Sequence, residues 1–360
     1  MKKAKYLVVI LIIFIGASIS FSLPRFSAKA EQKCNLCHVS PTGGGMRNGF
    51  GSQFFALTEL AAHETPFEEI SRFQPQISEI LSVGMDMRNQ YIYDEGTDLS
   101  TLFQMEGNFY LNAQLDQRFS LMLNKGLYEG FEIFGMGYVL PMNGYFRIGK
   151  FQPAYGWRFD DHTAFVREKM LWPAGSRDTG MEFGFQPQNV SAIVGFYNGN
   201  PGLFDDGKGK AVSSRLEFRR SFNNFGFGVG GSFYLNDTNA GDLKMYGPLY
   251  YLNIAEGKLI FLGETDWLDN ETIGSGTTSS FATSNKLSFM LQKGLWIEGT
   301  YDFYDSDIDY KRGALSRYGI GVNYFPYGFL EVSPYLRYFD PSTDDQDGYI
   351  MANVMFHIFF

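Results

Sequence analysis

From about residue 77 onward, apolar and polar residues alternate with a period of two. That is the mark of strands with one apolar face and one wet face. Phe103, Met105, Gly107, Phe109 and Leu111 interleave with Gln104, Glu106, Asn108, Tyr110 and Asn112. Met181, Phe183 and Phe185 interleave with Glu182, Gly184 and Gln186. Leu330, Val332, Leu336 and Tyr338 do the same with Glu331, Ser333 and Arg337. The runs predict strands near 77–93, 101–113, 118–126, 130–140, 144–154, 179–187, 190–199 and 211–221. They continue near 224–236, 243–255, 258–268, 281–292, 295–306, 313–325, 329–340 and 349–360. The count is sixteen, with fourteen as the alternative. Short turns, among them Pro141–Gly144, Gln186–Asn189 and Gln292–Gly294, separate longer polar segments. The expected fold is all-β: a transmembrane antiparallel barrel, apolar outside and wet inside.

The pattern before residue 77 differs. Lys2, Lys3 and Lys5 precede an apolar run from Tyr6 to Ile15, and a polar stretch follows, ending Ala28-Lys29-Ala30. This order predicts a secretory signal peptide over 1–30, cleaved after Ala30, with a retained anchor helix as the alternative. Residues 52–62 read as a short helix whose Phe54, Phe55, Leu57 and Leu60 can cover a flat ligand. The expected organisation is 1–30 leader, 31–66 small helical and loop segment, 67–76 linker and 77–360 barrel.

Composition narrows the class. Only 19% of residues are charged and 17% are aromatic, with 36 Phe and 22 Tyr. Two cysteines exclude a disulfide scaffold. A net charge of −9 argues against a nucleic-acid partner. No second apolar run reaches membrane-helix length, so any crossing must be by strands.

Both cysteines fall in Cys34-Asn35-Leu36-Cys37-His38. C-x-x-C-H is the attachment signature of haem c: each thiol adds to a vinyl group and the adjacent His reaches the iron. A thioredoxin-like pair would need a βαβ context, and a zinc site would need two further cysteine ligands nearby. The glycine run Gly43–Gly45 lets backbone approach a flat ring. His and Met are the usual second ligands of such a haem. His63, at the end of the short helix, is the first candidate, then Met46, then His162; Met85 and Met87 fall on an apolar strand face. Arg47 is a candidate partner for a haem propionate, or a solvated surface Arg.

The segments between strands are acidic, through Asp94, Glu95 and Asp98; Asp160 and Asp161; Asp205 and Asp206; Asp237 and Asp242; Asp266, Asp269 and Glu271; Asp305, Asp307 and Asp309; and Asp344, Asp345 and Asp347. They would concentrate cations at an outer rim, bridge lipopolysaccharide through divalent ions, or simply aid solubility. The longest, about Pro153–Thr179, holds Trp157, His162, Phe165, Arg167, Trp172 and Arg177, and its length suits a constriction folded into the lumen. Ten charges fall on the wet face: Glu106, Arg147, Glu182, Glu217, Arg219, Glu298, Asp302, Arg317, Glu331 and Arg337.

The alternation Ala352, Val354, Phe356, Ile358 and Phe360 resembles the C-terminal strand signal of bacterial outer-membrane proteins. Arg147–Pro153 with Tyr155-Gly156 looks like strands of phosphate-selective-type porins. Cys34, Cys37, His38, Pro41 and Asn48-x-Phe50-Gly51 ahead of such a barrel resemble the fused monohaem cytochrome–porins, although Gly43–Gly45 departs from that pattern. The resemblance implies one covalent haem c and electron transfer across the outer membrane between an extracellular donor or acceptor, Fe(II) favoured, and periplasmic c-type cytochromes. It implies possible Fe(II) oxidation, with the haem segment in the periplasm or plugging the lumen. The competing expectations are a solute-diffusion porin in which that segment is a plug or gate, and a barrel sheath for a separate multihaem cytochrome.

Overall fold

The computed structural model describes residues 25–30, 33–70, 74–127, 131–171, 176–200, 207–238, 241–274, 276–310, 313–342 and 347–360. Most of the expected leader, Trp172, Asp205, Asp206, Asp344 and Asp345 lie outside the described residues. The first eight strands are β1 (Leu81–Asp94), β2 (Leu99–Gln114), β3 (Phe119–Gly126), β4 (Phe131–Leu140), β5 (Gly144–Phe151), β6 (Asp178–Phe185), β7 (Val190–Tyr197) and β8 (Ala211–Phe222). The rest are β9 (Phe225–Thr238), β10 (Gly241–Ile254), β11 (Leu259–Thr272), β12 (Gly276–Gln292), β13 (Leu295–Asp305), β14 (Leu315–Tyr327), β15 (Leu330–Pro341) and β16 (Tyr349–Phe359).

Each strand pairs antiparallel with its chain neighbours, and β1 pairs with β16, which closes the barrel. Closure gives the backbone N–H and C=O groups partners without water, the condition for crossing lipid with strands. The seam runs from Asp86 opposite Phe359 to Asp94 opposite Met351. Beyond it, Phe360 and Met85 exchange both backbone hydrogen bonds, at 3.0 and 3.2 Å.

The alternation sorts as the pattern predicts. Phe109, Met181, Ile297, Leu336 and Phe356 are exposed on the outside, while all ten wet-face charges named above are buried inside. Short turns gather at the rim that holds the start of β1 and the end of β16. At the turn between β4 and β5, Met142 and Asn143 take φ of 59° and 53°, the left-handed pair that two-residue hairpins require.

Strand β12 begins at Gly276, five residues ahead of the expected start near 281. Its first residues, Gly276-Thr277-Thr278-Ser279-Ser280, pair with Thr272, Glu271, Asn270, Asp269 and Leu268 of β11. Leu268 apart, this part of the sheet is polar on both faces, so it carries no alternation.

Candidate functional site

The lumen is filled from both ends. From the short-turn rim comes the segment 33–63. Lys33 donates from Nζ to the carbonyl oxygens of Gln186 (2.6 Å) and Pro187 (3.2 Å). The backbone N–H groups of Ala62 and His63 donate to Phe325 and Pro326. Between these anchors Cys34–Leu36 form one 3₁₀ turn, and Phe50–Leu60 form a π-helix where the sequence predicts an ordinary one.

Asn48 staples the two together. Its side-chain Nδ2 donates to the carbonyls of Asn35 (3.0 Å) and Leu36 (2.9 Å). Its Oδ1 accepts from the Gly51 N–H at 2.9 Å, and its own N–H donates to Cys37 O at 2.9 Å. Gly43, Gly44 and Gly45 turn the chain back with φ of 83°, 69° and 62°, a left-handed run open only to glycine. A Cβ on Gly43 would stand 3.1 Å from Cys34 Sγ. The glycines therefore serve the cysteine turn.

From the opposite rim, the segment between β5 and β6 folds inward, as its length suggests. The Trp157 N–H donates to Glu264 Oε2 (2.5 Å) and its ring Nε1 to the Gly263 carbonyl (3.1 Å). Tyr155 donates to Asp266 at 2.7 Å, and Arg167 pairs with Glu264. Phe165 and Val166 are fully buried, in a short helix Phe165–Glu168. Asp160 sits 2.9 Å from Lys286, and Asp161 2.7 Å from Arg337. Asp160, Asp161 and Asp266, expected at the outer rim, thus lie inside the barrel, drawn there by cations that belong to the lumen wall and the inward loop.

Between the two fillings is a cavity of about 250 Å³. Cys34, Cys37 and His38 line it, with Phe55, Ala56 and Leu60 from the π-helix and Phe359 from β16. Phe54 is exposed and Leu57 packs toward Gly328, so neither covers the cavity. Six guanidinium groups, of Arg25, Arg47, Arg88, Arg158, Arg167 and Arg177, also line it, facing six carboxylates, of Asp86, Glu106, Glu132, Asp160, Asp161 and Glu331. Arg47 lies over the Phe359 ring at 3.8 Å and 3.9 Å from Asp86.

His63 does not join this group. It is exposed at the rim, with its ring 5.4 Å from that of Tyr327. It lies three residues past the end of the π-helix, where the chain bonds to Phe325 and Pro326 at the end of β14, away from the cysteine turn. Met46 is 2% exposed but packs into the wall cluster with Tyr110 and Met122 rather than into the cavity. His162 lines the cavity, and so does His357, which the sequence reading missed. The only signal for His357 was its inward position on β16.

Burial pushes the Cys37 thiol up to about 12. Burial, with Arg47 beside it, pushes His38 down to about 4, so the ring is neutral. The two thiols are not bridged to each other. Nδ1 of His38 is shielded from solvent and has no hydrogen-bond partner. Two thiols on one turn, a neutral imidazole beside them, an apolar patch of Phe55, Ala56, Leu60 and Phe359, and arginines that are in part paired to carboxylates of the same wall fit a haem: tethers, an axial ligand, cover for the ring and cations near its propionates.

Helix Arg25–Ala30, the tail of the expected leader, crosses this space, with Arg25 paired to Glu298 and Asn253 bonded to Ala28 O. Cleavage after Ala30 would remove Arg25 and Phe26 from the cavity wall.

Elsewhere the lumen closes on ion pairs. Arg147 meets Glu182 at 2.9 Å and Arg317 meets Asp302 at 2.8 Å. Glu217 lies between Arg215, at 2.7 Å, and Arg219. The inner charges of both signs cancel locally.

No family model matches the chain, and no curated protein matches it. Among solved structures the fold is similar to OprB of Pseudomonas putida, with a TM-score of 0.60 at 10% identity over 78% of this chain and 94% of that one. It is similar to an anion-selective porin from Comamonas acidovorans, with a TM-score of 0.57 at 10% identity over 78% and 99% of the two chains. OmpT of Vibrio cholerae matches with a TM-score of 0.57 at 10% identity over 80% and 100%. The chain therefore has the fold of outer-membrane porins: a closed barrel of sixteen antiparallel strands.

Proposed function

We propose that this chain is an outer-membrane electron conduit, a porin-like barrel holding one haem c on Cys34 and Cys37 with His38 on the iron. A single observation carries the reading: the C-x-x-C-H turn lines a cavity inside the lumen, walled by arginines and carboxylates, rather than standing on a tail outside the barrel. Bound there, a haem supplies one-electron transfer. The membrane band is about 25 Å tall, so a lone redox centre must sit within it to reach both sides.

The chain's own residues have supporting tasks in this reading. Lys33 and the N–H groups of Ala62 and His63 fix the segment to the short-turn rim, open to periplasmic c-type cytochromes. Arg147–Glu182, Arg317–Asp302 and the inward loop exclude solutes. Exposed Glu95, Asp98, Asp237, Asp242 and Asp347 attract extracellular metal ions. The barrel's outer face meets outer-membrane lipid.

The likeness to porins favours a second reading, a solute porin with the N-terminal segment as plug or gate, and backs it more directly than the conduit. Two measurements separate them. In planar bilayers the conduit should show little ion conductance. In liposomes enclosing a haem acceptor, with Fe(II) outside, wild type should transfer electrons and Cys34→Ala/Cys37→Ala should not. Steady ion conductance, with equal transfer by the haem-free variant, would leave the porin reading in its place.

A further inference from the structure

We propose that the inward loop supplies the far half of the haem pocket, with His162 as the second axial ligand of the iron and Arg158 as the cation facing a propionate. This rests on the haem c reading above. Three histidines, His38, His162 and His357, share the cavity with the cysteines. His38 follows directly on the second tether and serves one side. His357 is committed elsewhere: its Nδ1 lies 2.8 Å from Glu331, and its Nε2 bonds to Asp86. Both its nitrogens donate to carboxylates, which leaves the ring no lone pair for iron.

His162 differs. Its Nε2 lies 3.1 Å from Nη1 of Arg88. A guanidinium can only donate, so Nε2 carries the lone pair, which faces Arg88, with the Glu106 carboxylate 3.8 Å away. Arg88 has a second partner in Glu106, at 3.0 Å, and keeps that pair when the histidine turns to iron. With Nε2 as acceptor, His162 would bind a haem iron without having to lose a proton.

The loop holds His162 in place. Asp160 and Asp161 precede it, each clamped to a lysine or arginine of the wall. Thr163 follows, accepting from Arg317 at 2.9 Å. A ligand held by charged neighbours on both sides is pre-organised, as a metal site needs.

Arg158 is an independent observation. Among the described residues no carboxylate comes within ion-pair distance of it. Its nearest polar partner is the Gln152 carbonyl at 3.3 Å. Its Cδ stands 3.1 Å from where a Cβ on Gly44 would be, so it lies directly against the glycine run of the haem turn. Glu132 and Glu182 act on it only from beyond ion-pair distance; an enclosed cation gains from a direct anionic partner, and a propionate would supply one.

The test uses full-length protein purified with its haem, comparing wild type, His162→Ala, His162→Met, His63→Ala and Arg158→Gln by optical and electron paramagnetic resonance spectra. Heat-modifiable gel migration confirms a folded barrel, and pyridine haemochrome counts haem per chain. Wild type should be low-spin. His162→Ala should keep its covalent haem but become high-spin, and imidazole should restore low spin. His162→Met should stay low-spin with shifted bands, and His63→Ala should match wild type. Arg158→Gln should lower the midpoint potential, since a nearby cation favours the reduced haem. A low-spin His162→Ala without imidazole, or a high-spin wild type, overturns the ligand assignment. An unchanged potential in Arg158→Gln overturns the propionate role. Absence of covalent haem in wild type overturns the haem reading itself, a result distinct from the others.

Discussion

Gly51 lies so close to Cys37 that a Cβ added to it would stand 2.2 Å from the Cys37 carbonyl oxygen. The π-helix can start against the cysteine turn only because this position has no side chain. Backbone cannot swing aside as a flexible side chain can. Gly51→Ala should therefore displace the turn at a cost of about 1–3 kcal/mol. The expected outcome is an intact barrel with clearly less covalent haem per chain, read by haemochrome assay against heat-modifiable migration. Full haem loading would show that the contact yields without consequence.

Arg147 and Glu182 form a fully buried pair at 2.9 Å, and Tyr145 also donates to Glu182, at 2.8 Å. Removing one partner of such a pair typically costs about 3–5 kcal/mol, whereas replacing both with apolar residues is often neutral. Arg147→Met should lower the urea midpoint of the detergent-solubilised barrel, and Arg147→Met/Glu182→Met should recover most of it. Equal loss in both variants would mean that shape, not charge compensation, governs this layer.

Acid should loosen the inward loop. Against the upward push of burial, Lys286 holds Asp160 below the usual carboxylate range, helped by Arg25 only while the leader is attached, and Arg337 and Arg317 hold Asp161 there. A depressed carboxylate contributes stability that is complete above its unfolded value, about 3.9, and lost as pH falls toward the folded one. Ion conductance of the inserted protein should thus stay low at neutral pH and rise below about pH 4. Asp161→Asn should bring that rise to higher pH. A conductance flat to pH 2 would place the seal elsewhere.

Deleting residues 31–66 from the mature chain should leave a barrel that still inserts, because the strand ladder from β1 to β16 closes without that segment. Conductance should rise several-fold, limited by the inward loop that remains. Unchanged conductance would assign the blockage to the loop alone.

The barrel was legible because its physics is local. Each strand meets lipid on one side and the lumen on the other, so the period of two is written residue by residue. Strand β4 was expected at 130–140 and spans Phe131–Leu140. The signal failed at Gly276–Ser280, where polar chain rises above the apolar band. The cysteine turn was legible from spacing. Its surroundings were not, because closure brings together residues far apart in sequence. His63 is near in sequence but points out at the rim. His162 arrives from a loop that folds inward on Lys286, Arg317 and Arg337, partners more than a hundred residues away. The same partners explain why Asp160 and Asp161 read as rim charges and proved to be anchors.

The seam between β1 and β16 sets an order of events. The ring is open until the last strand finds the first, when Phe360 exchanges hydrogen bonds with Met85. The cysteine turn lies within, between the short-turn rim and the inward loop. A bulky, rigid prosthetic group would have little room to enter once the loop is clamped and the seam zipped. The barrel is then less a pore that later acquires a stopper than a wall raised around one. On the haem reading, tethering in the periplasm would have to come first, and ring closure in the membrane would seal what has been tethered. A chain that misses the first step would close on an empty turn, and no later encounter with the cofactor would repair it without reopening the seam.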